Sequence, residues 1–298
     1  MPVAVADPLR SGTTPLPDGR LLGWAEWGPV DGAPVLFAPG AATSSHLGFG
    51  ADVVDDLRIR LIALDRPGLG TSTPAPQRTF TDFAADVAAF AARRDLGRPA
   101  MVGNSQGAPF ALACAAAGAI EALALASAAD EVAAPGFADA LPAHLRSLVD
   151  LAGSAPSEAE GVFRGFTPER MWDMVEGAGA ACDLEVYRQP GFAAAYRRAL
   201  AQGFAQGADG YARDTLLAMS RWQIALSTIT APVDLWYGEH DHSHSPDQGV
   251  TLAERIPTAT RHLVRGVGGA VLWTHAEQIL WTLGERVGGE PRPQRLIM

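Results

Sequence analysis

Short apolar runs alternate with helical patterns through the first 130 residues. Four of these runs are bounded by Gly, Pro or Asp and lie within APVLFAPG, RLIALDRPG, AMVGNS and EALALAS. Such runs are typical of strands that are buried on both faces of a parallel sheet. Between the second and third runs, Phe83, Val87 and Phe90 recur at helical spacing, and Gly97 provides a stop signal. The alternation predicts an α/β fold with a mostly parallel, doubly wound sheet.

The pattern changes at about residue 130. From there to about residue 230 the strand-like runs vanish, and helical stretches such as FAAAYRRALAQGF and YARDTLLAMSRWQIAL replace them. Strand patterns return in APVDLWYGEHD and TRHLVRG, and a final helix is predicted from a capping box at Thr274 and Glu277. Early in the chain, GRLLGWAEWG predicts a short antiparallel edge strand. We therefore expect an α/β core of residues 1–129 and 231–298, with a helical cap inserted at 130–230.

Gly103, Ser105 and Gly107 form a G-x-S-x-G motif directly after a predicted strand and directly before a predicted helix. In this context the glycines permit a tight, strained turn that holds the serine hydroxyl outward at the end of the strand. The alternative is an ordinary turn serine. The strand–turn–helix context favours Ser105 as a nucleophile.

With this motif, the chain resembles the α/β-hydrolase superfamily over nearly its whole length. The matching segments are LFAPGAATSS, LDRPGLGTS, GNSQG and WYGEHD, which follow the third, fourth, fifth and seventh predicted strands. The resemblance implies an oxyanion hole made by the backbone N–H groups of Ala41 and Gln106, although Pro39 stands where the family usually has histidine. It also implies that Asp241 orients the catalytic base, with Asp130 as the rival acid.

The same resemblance places the histidine base in the loop between the last strand and the last helix. The expected position is Gly269 or Ala270, and neither residue can carry a proton. His275 is the candidate for a displaced base, and His46 in the oxyanion loop is an alternative proton carrier. Three explanations remain open: a relocated base, chemistry that needs no activated serine, or a histidine deliberately replaced by a small residue.

A metal site is a further possibility, because His240, His242 and His244 alternate around Asp241. In a strand these side chains would share one face and could share a zinc ion. The serines and the proline that follow favour a turn instead, so we interpret them as surface histidines around an acid. The sequence predicts no metal and no cofactor.

Charge and cysteine content limit the partners and the compartment. A net charge of −10 argues against nucleic acid and against an anionic membrane surface. Two cysteines give no disulfide framework, and the N-terminal segment lacks the pattern of a secretory signal, so we expect a cytoplasmic protein. The oligomeric state is left open.

The predicted cap is rich in aromatic residues, among which Trp172, Tyr187 and Trp222 are candidates for substrate binding. Most such side chains must pack the cap itself, but those at the cleft favour a mid-sized, mainly apolar substrate. The leading hypothesis is a small-molecule hydrolase of an ester, lactone or amide. A cyclase or lyase of the same fold is the second hypothesis, and a catalytically silent ligand-binding member or base-deleted variant is the third.

Overall fold

The computed structural model of the protein describes residues 3–288. Within them, eight strands form one sheet. The strands are β1 (Arg10–Pro15), β2 (Leu21–Trp27), β3 (Ala33–Ala38), β4 (Ile59–Leu64), β5 (Ala100–Ser105), β6 (Leu123–Ala128), β7 (Val233–Gly238) and β8 (Ala259–Val264).

The strand order in the sheet is β1-β2-β4-β3-β5-β6-β7-β8. The first strand pairs antiparallel with β2, and β2 pairs antiparallel with β4, whereas all other neighbours are parallel. The predicted mostly parallel α/β sheet is therefore confirmed. The predicted edge is wrong by one strand, because GRLLGWAEWG contributes β2 and the outer strand is β1. Only Thr14 of β1 is buried, so this strand has no apolar run that would reveal it.

The helices of the core lie on both faces of the sheet. They are α1 (Phe80–Arg93) and α2 (Gly107–Ala116) before the insert, and α9 (Val250–Glu254), α10 (Val271–Thr274) and α11 (Ala276–Arg286) after it. Along β4, Leu61 packs in the same cluster as Leu280 of α11, whereas Ile62 packs with Phe83 of α1. Because neighbouring strand residues point to opposite faces, both faces of the central strands are buried.

Six α-helices lie between β6 and β7, in the interval where the cap is predicted. We call residues 130–230 the helical insert. The six helices are α3 (Ala143–Ser154), α4 (Pro156–Phe163), α5 (Pro168–Ala178), α6 (Ala181–Tyr187), α7 (Pro190–Gly203) and α8 (Asp209–Met219). The last of these is shorter than its apolar pattern suggests. Beyond it, the backbone N–H of Trp222 donates to the carboxylate of Glu131, which lies after β6.

The predicted capping box at Thr274 and Glu277 is also wrong. Thr274 is the last residue of α10, and its hydroxyl donates to the carbonyl of Ala270. The side chain of His275 makes no capping hydrogen bond to α11. The backbone at this residue leaves the helical conformation and so separates α10 from α11. The loop that precedes α10 is therefore shaped by other contacts, which belong to the site described below.

A buried charge cluster fastens the insert to the core. Asp214 of α8 accepts hydrogen bonds from Arg66, which follows β4, at 2.7 Å and from Arg78, which precedes α1. All three side chains are almost fully buried. Removing one partner from such a cluster leaves charge in a medium that cannot solvate it.

We expect Asp214→Asn to lower the free energy of unfolding by about 3–5 kcal/mol, because two buried guanidinium groups lose their counter-ion. Denaturant unfolding measures the change. Asp209→Asn is the matched control on the same helix, since its pair with Arg164 is exposed and should contribute little. Equal midpoints for the two variants would contradict the role of the cluster.

Candidate active site

Ser105 ends β5 in a tight turn whose backbone requires its glycine neighbours. Its φ is 49°, in the left-handed region, where a non-glycine residue costs roughly 1–2 kcal/mol. A Cβ at Gly103 would lie 2.9 Å from the Cβ of Ala111, and a Cβ at Gly107 would lie 2.1 Å from the carbonyl oxygen of Ala38. The small residues therefore let strand and helix approach closely around a strained serine.

Ser105 borders a cavity of about 470 Å³ between the sheet and the helical insert. The wall formed by the insert is mostly apolar. Its residues include Leu148, Phe163, Phe166, Met171, Tyr211 and Met219. A cavity of this volume accommodates a small organic molecule and removes most of its surface from water.

Asp241 and His244 meet in the turn that follows β7. The carboxylate of Asp241 is buried, and the Nδ1 atom of His244 lies 2.9 Å from its Oδ1 and 3.1 Å from its Oδ2. Because Nδ1 faces the carboxylate, Nε2 is the ring nitrogen that remains available for other contacts. The imidazole lines the same cavity as Ser105.

The pairing reverses the effect of burial on both groups. Burial raises the pKa of a carboxyl group, but the attraction of the His244 ring and its hydrogen bond hold the pKa of Asp241 below its usual value. Burial likewise lowers the pKa of an imidazole, but Asp241, assisted by the charge of Asp183, raises the pKa of His244 above 6.5. The ring is therefore a stronger base than a free histidine.

The ring of His244 occupies the space beside Gly269. A Cβ at Gly269 would lie 2.9 Å from Cε1 and 3.4 Å from Nδ1 of His244. Gly269 is one of the two positions where the family resemblance places the histidine base. The imidazole thus reaches this position from the loop after β7, and the glycine leaves room for it.

Asp183 of the insert holds the loop that contains Gly269. Its carboxylate accepts the backbone N–H groups of Gly269 at 2.9 Å and Ala270 at 3.0 Å, and it also accepts the N–H of Ala180. These bonds hold in place the loop in which the family resemblance leads us to expect the base.

The predicted oxyanion donors, Ala41 and Gln106, both line the cavity. Arg66 donates to the carbonyl of Pro39 at 2.5 Å and to that of Gly40 at 3.0 Å. Because the C=O and N–H of a trans peptide point in opposite directions, the N–H of Ala41 is turned away from Arg66. A Cβ at Gly40 would lie 3.4 Å from the Cβ of Ser105, so this loop lies against the serine.

The structure does not bring His275 or His46 to the cavity. Neither belongs to its lining, and the Nδ1 atom of His275 lies 2.9 Å from the hydroxyl of the neighbouring Thr274. His46 lies in the segment between β3 and β4, with Nδ1 3.5 Å from the hydroxyl of Ser45. The placement of His275 follows from the helix break, which puts it after α10 rather than in the loop before it.

Asp130 lines the cavity but contacts the His244 loop rather than the imidazole. Its carboxyl accepts from the hydroxyl of Ser245 at 2.9 Å and from the N–H of Glu131 at 2.7 Å. Burial raises its pKa to about 6. Its own N–H donates to the carbonyl of His244, so Asp130 supports the turn that carries the base candidate.

Of the three aromatic candidates, only Tyr187 lines the cavity. Trp172 packs edge-on against Tyr196, and its indole N–H donates to Glu176. Trp222 packs against Phe80 of the core. At these two positions the large apolar rings of the tryptophans pack against neighbouring side chains and do not line the cavity.

The histidines around Asp241 do not share a face. The segment is a turn, in which His240 and His242 are exposed and His244 is partly buried. Within residues 3–288, no group of three or more His, Cys, Asp or Glu side chains is placed to hold a metal ion. The sequence predicts a surface histidine at position 244, whereas the ring is partly buried and paired with Asp241. The available signal was its spacing, three residues after Asp241 in a turn.

Comparison with known proteins agrees with this architecture. The family model described as alpha/beta hydrolase fold matches residues 33–276. A non-heme chloroperoxidase from Streptomyces lividans is 36% identical over 104 residues, which cover 32% of this chain and 36% of that protein. The alignment thus spans about a third of this relative.

Solved structures share the fold at low sequence identity. A bromoperoxidase from Bacillus anthracis has a TM-score of 0.68 and 17% identity, covering 94% of this chain and 100% of that chain. An enol-lactonase from Burkholderia xenovorans has a TM-score of 0.65 and 19% identity, covering 93% and 100%. An esterase from a Rhodococcus species has a TM-score of 0.63 and 21% identity, covering 94% and 99%.

One further property concerns membranes. Across residues 3–288, no helix combines the length and the apolarity that a membrane crossing requires.

The extent of the family match and the topology of the sheet lead to one conclusion. The chain belongs to the α/β-hydrolase family of enzymes.

Proposed function

We propose that the protein is a serine hydrolase that cleaves an ester or lactone bond in a mainly apolar small molecule. Ser105 is the nucleophile, His244 the general base and Asp241 the acid that orients the base. The observation that carries the proposal is the Asp241–His244 hydrogen bond beside a cavity that Ser105 also lines. A serine needs such an oriented base, because its hydroxyl is a weak nucleophile at neutral pH.

In this mechanism, Nε2 of His244 takes the proton of the Ser105 hydroxyl while the serine oxygen attacks the carbonyl carbon. The backbone N–H groups of Ala41 and Gln106 stabilise the oxyanion of the tetrahedral intermediate. Protonated His244 then gives its proton to the leaving alcohol, and an acyl-enzyme forms. Water, deprotonated by His244, attacks the acyl group and releases the acid with Ser105 restored.

The substrate class follows from the cavity. Its wall is made mainly by apolar side chains of the helical insert, which we take to be the cap predicted for this region. Such a wall favours an apolar acyl or alkyl group over a sugar or a phosphate. Structural neighbours described as an esterase and an enol-lactonase support the same reaction class.

We expect the protein to hydrolyse activated aryl esters and to be labelled by a fluorophosphonate probe. Ser105→Ala should abolish both reactions, because the probe and the ester are attacked by the same oxygen. Intact-protein mass spectrometry measures the labelling. If the protein converts a substrate without being labelled, and Ser105→Ala does not change this, the result would instead indicate a cyclase or lyase. If it neither hydrolyses esters nor is labelled, but still binds ligand, the result would indicate a catalytically silent member.

We expect His244→Ala to reduce kcat on the order of a million-fold, as loss of the base from a serine triad does. His275→Ala is the matched control and should change kcat by less than a few-fold, because its ring does not line the cavity. Steady-state kinetics on an aryl ester measure both values. If His275→Ala greatly lowers kcat and His244→Ala does not, the general base is His275.

A second variant tests the position of the base without relying on a loss. In His244→Ala the space beside Gly269 is vacated, so the additional change Gly269→His puts an imidazole back near the same place. The kcat of the double variant should be at least about tenfold higher than that of His244→Ala. In the presence of His244, Gly269→His should be harmful, because its Cβ would be 2.9 Å from the existing ring.

The pH dependence of kcat/KM should report the pairing of His244 with Asp241. Only neutral His244 accepts a proton, and its pKa is raised above 6.5, so activity should fall as the pH drops through a midpoint above 6.5. Asp241→Asn removes the main cause of this rise and should move the midpoint to lower pH in the residual activity. A wild-type midpoint below 6.5 would contradict the assignment.

A further inference from the structure

Tyr187 is the last residue of α6, and its hydroxyl is a polar group that the proposed mechanism does not use. The residue is 6% exposed and lines the cavity. Its ring is stacked on Phe192 and lies edge-on to Tyr196 and Trp273. This aromatic packing holds the ring in one orientation and so determines where the hydroxyl lies.

The hydroxyl of Tyr187 is open to the cavity. Among residues 3–288, no group hydrogen-bonds to it, and its oxygen is not one of the unpartnered atoms that are fully buried. The oxygen therefore retains accessible surface. Because Tyr187 is almost wholly shielded from bulk water but lines the cavity, we assign this surface to the cavity.

The hydroxyl lies on the side of the site where the base is. A Cβ at Gly269 would lie 2.9 Å from Cε1 of His244 and 3.6 Å from the hydroxyl oxygen of Tyr187. Gly269 is itself buried and lines the cavity. The space beside this glycine is therefore bordered by both the imidazole and the phenol.

The phenol is a hydrogen-bond donor at the pH at which the base works. Burial, followed by the neighbouring Tyr196 and the charge of Asp183, raises the pKa of Tyr187 well above 10. The hydroxyl thus keeps its proton at the pH at which His244 has lost its own. A neutral phenol without a partner can donate this proton in a hydrogen bond to an oxygen of a bound molecule.

We propose that the hydroxyl of Tyr187 donates a hydrogen bond to the leaving-group oxygen of the ester or lactone. This inference rests on the proposed hydrolase function. In that mechanism the leaving oxygen receives a proton from Nε2 of His244, so it must lie against the imidazole, where the Tyr187 hydroxyl also lies.

The hydrogen bond acts while the C–O bond breaks. The electron pair of that bond passes to the leaving oxygen, and a donor placed there stabilises the negative charge that develops. Nε2 of His244 then delivers the proton, and Tyr187 keeps its own. Tyr187 is in this sense a further catalytic residue, supplied by the helical insert.

The experiment compares kcat/KM of wild type and Tyr187→Phe for 4-nitrophenyl, phenyl and benzyl butanoate. The three esters share one acyl group, whereas the basicity of the leaving oxygen rises from the first to the last. Tyr187→Phe should lower kcat/KM about tenfold for the benzyl ester, as expected for one lost hydrogen bond, and less than about twofold for the 4-nitrophenyl ester. The reason is that 4-nitrophenolate is a stable anion, which leaves without a donor.

Tyr196→Phe is the matched control, because Tyr196 also lines the cavity and packs edge-on against Tyr187. It should change kcat/KM by the same small factor for all three esters. If wild type hydrolyses none of the esters, the proposed function itself fails. If wild type hydrolyses them but Tyr187→Phe affects all three equally, or Tyr196→Phe shows the same dependence on the leaving group, the Tyr187 contact alone is overturned.

Discussion

The hydrogen bond between Asp241 and His244 is the interaction on which the rest of the site depends. It holds an imidazole three residues from its carboxylate within one turn, and it raises the basicity of the ring against the effect of burial. The ring needs room, which Gly269 provides by having no side chain. A histidine at position 269 and the present His244 could not coexist in this arrangement. The absence of a side chain at Gly269 and the position of the His244 ring therefore depend on each other.

The helical insert contributes fixed geometry as well as an apolar wall. Asp183 binds two backbone N–H groups of the loop beside His244, and Asp214 pairs with Arg66, which in turn binds the carbonyls of Pro39 and Gly40. Both halves of the candidate site are therefore tied to the insert by buried carboxylates. Because unpaired buried charge is so unfavourable, these ties also fasten the insert to the core.

Much of the fold could be predicted because its signals are local. The central strands are buried on both faces and so appear as continuous apolar runs, and the turn at Ser105 requires its two glycines. Predictions failed where the signal was weak or ambiguous. The exposed edge strand β1 has one buried residue, and Thr274 carries a capping pattern although it ends a helix. Local rules cannot tell which of two helices such a residue belongs to.

The sequence by itself determined the sheet and the chemistry available at the ends of its strands, because periodicity and turn residues act over a few positions. Only the tertiary structure decided which imidazole enters the cavity, since that depends on the meeting of two loops more than twenty residues apart. His244 and Gly269 are separated along the chain, yet their atoms compete for the same space.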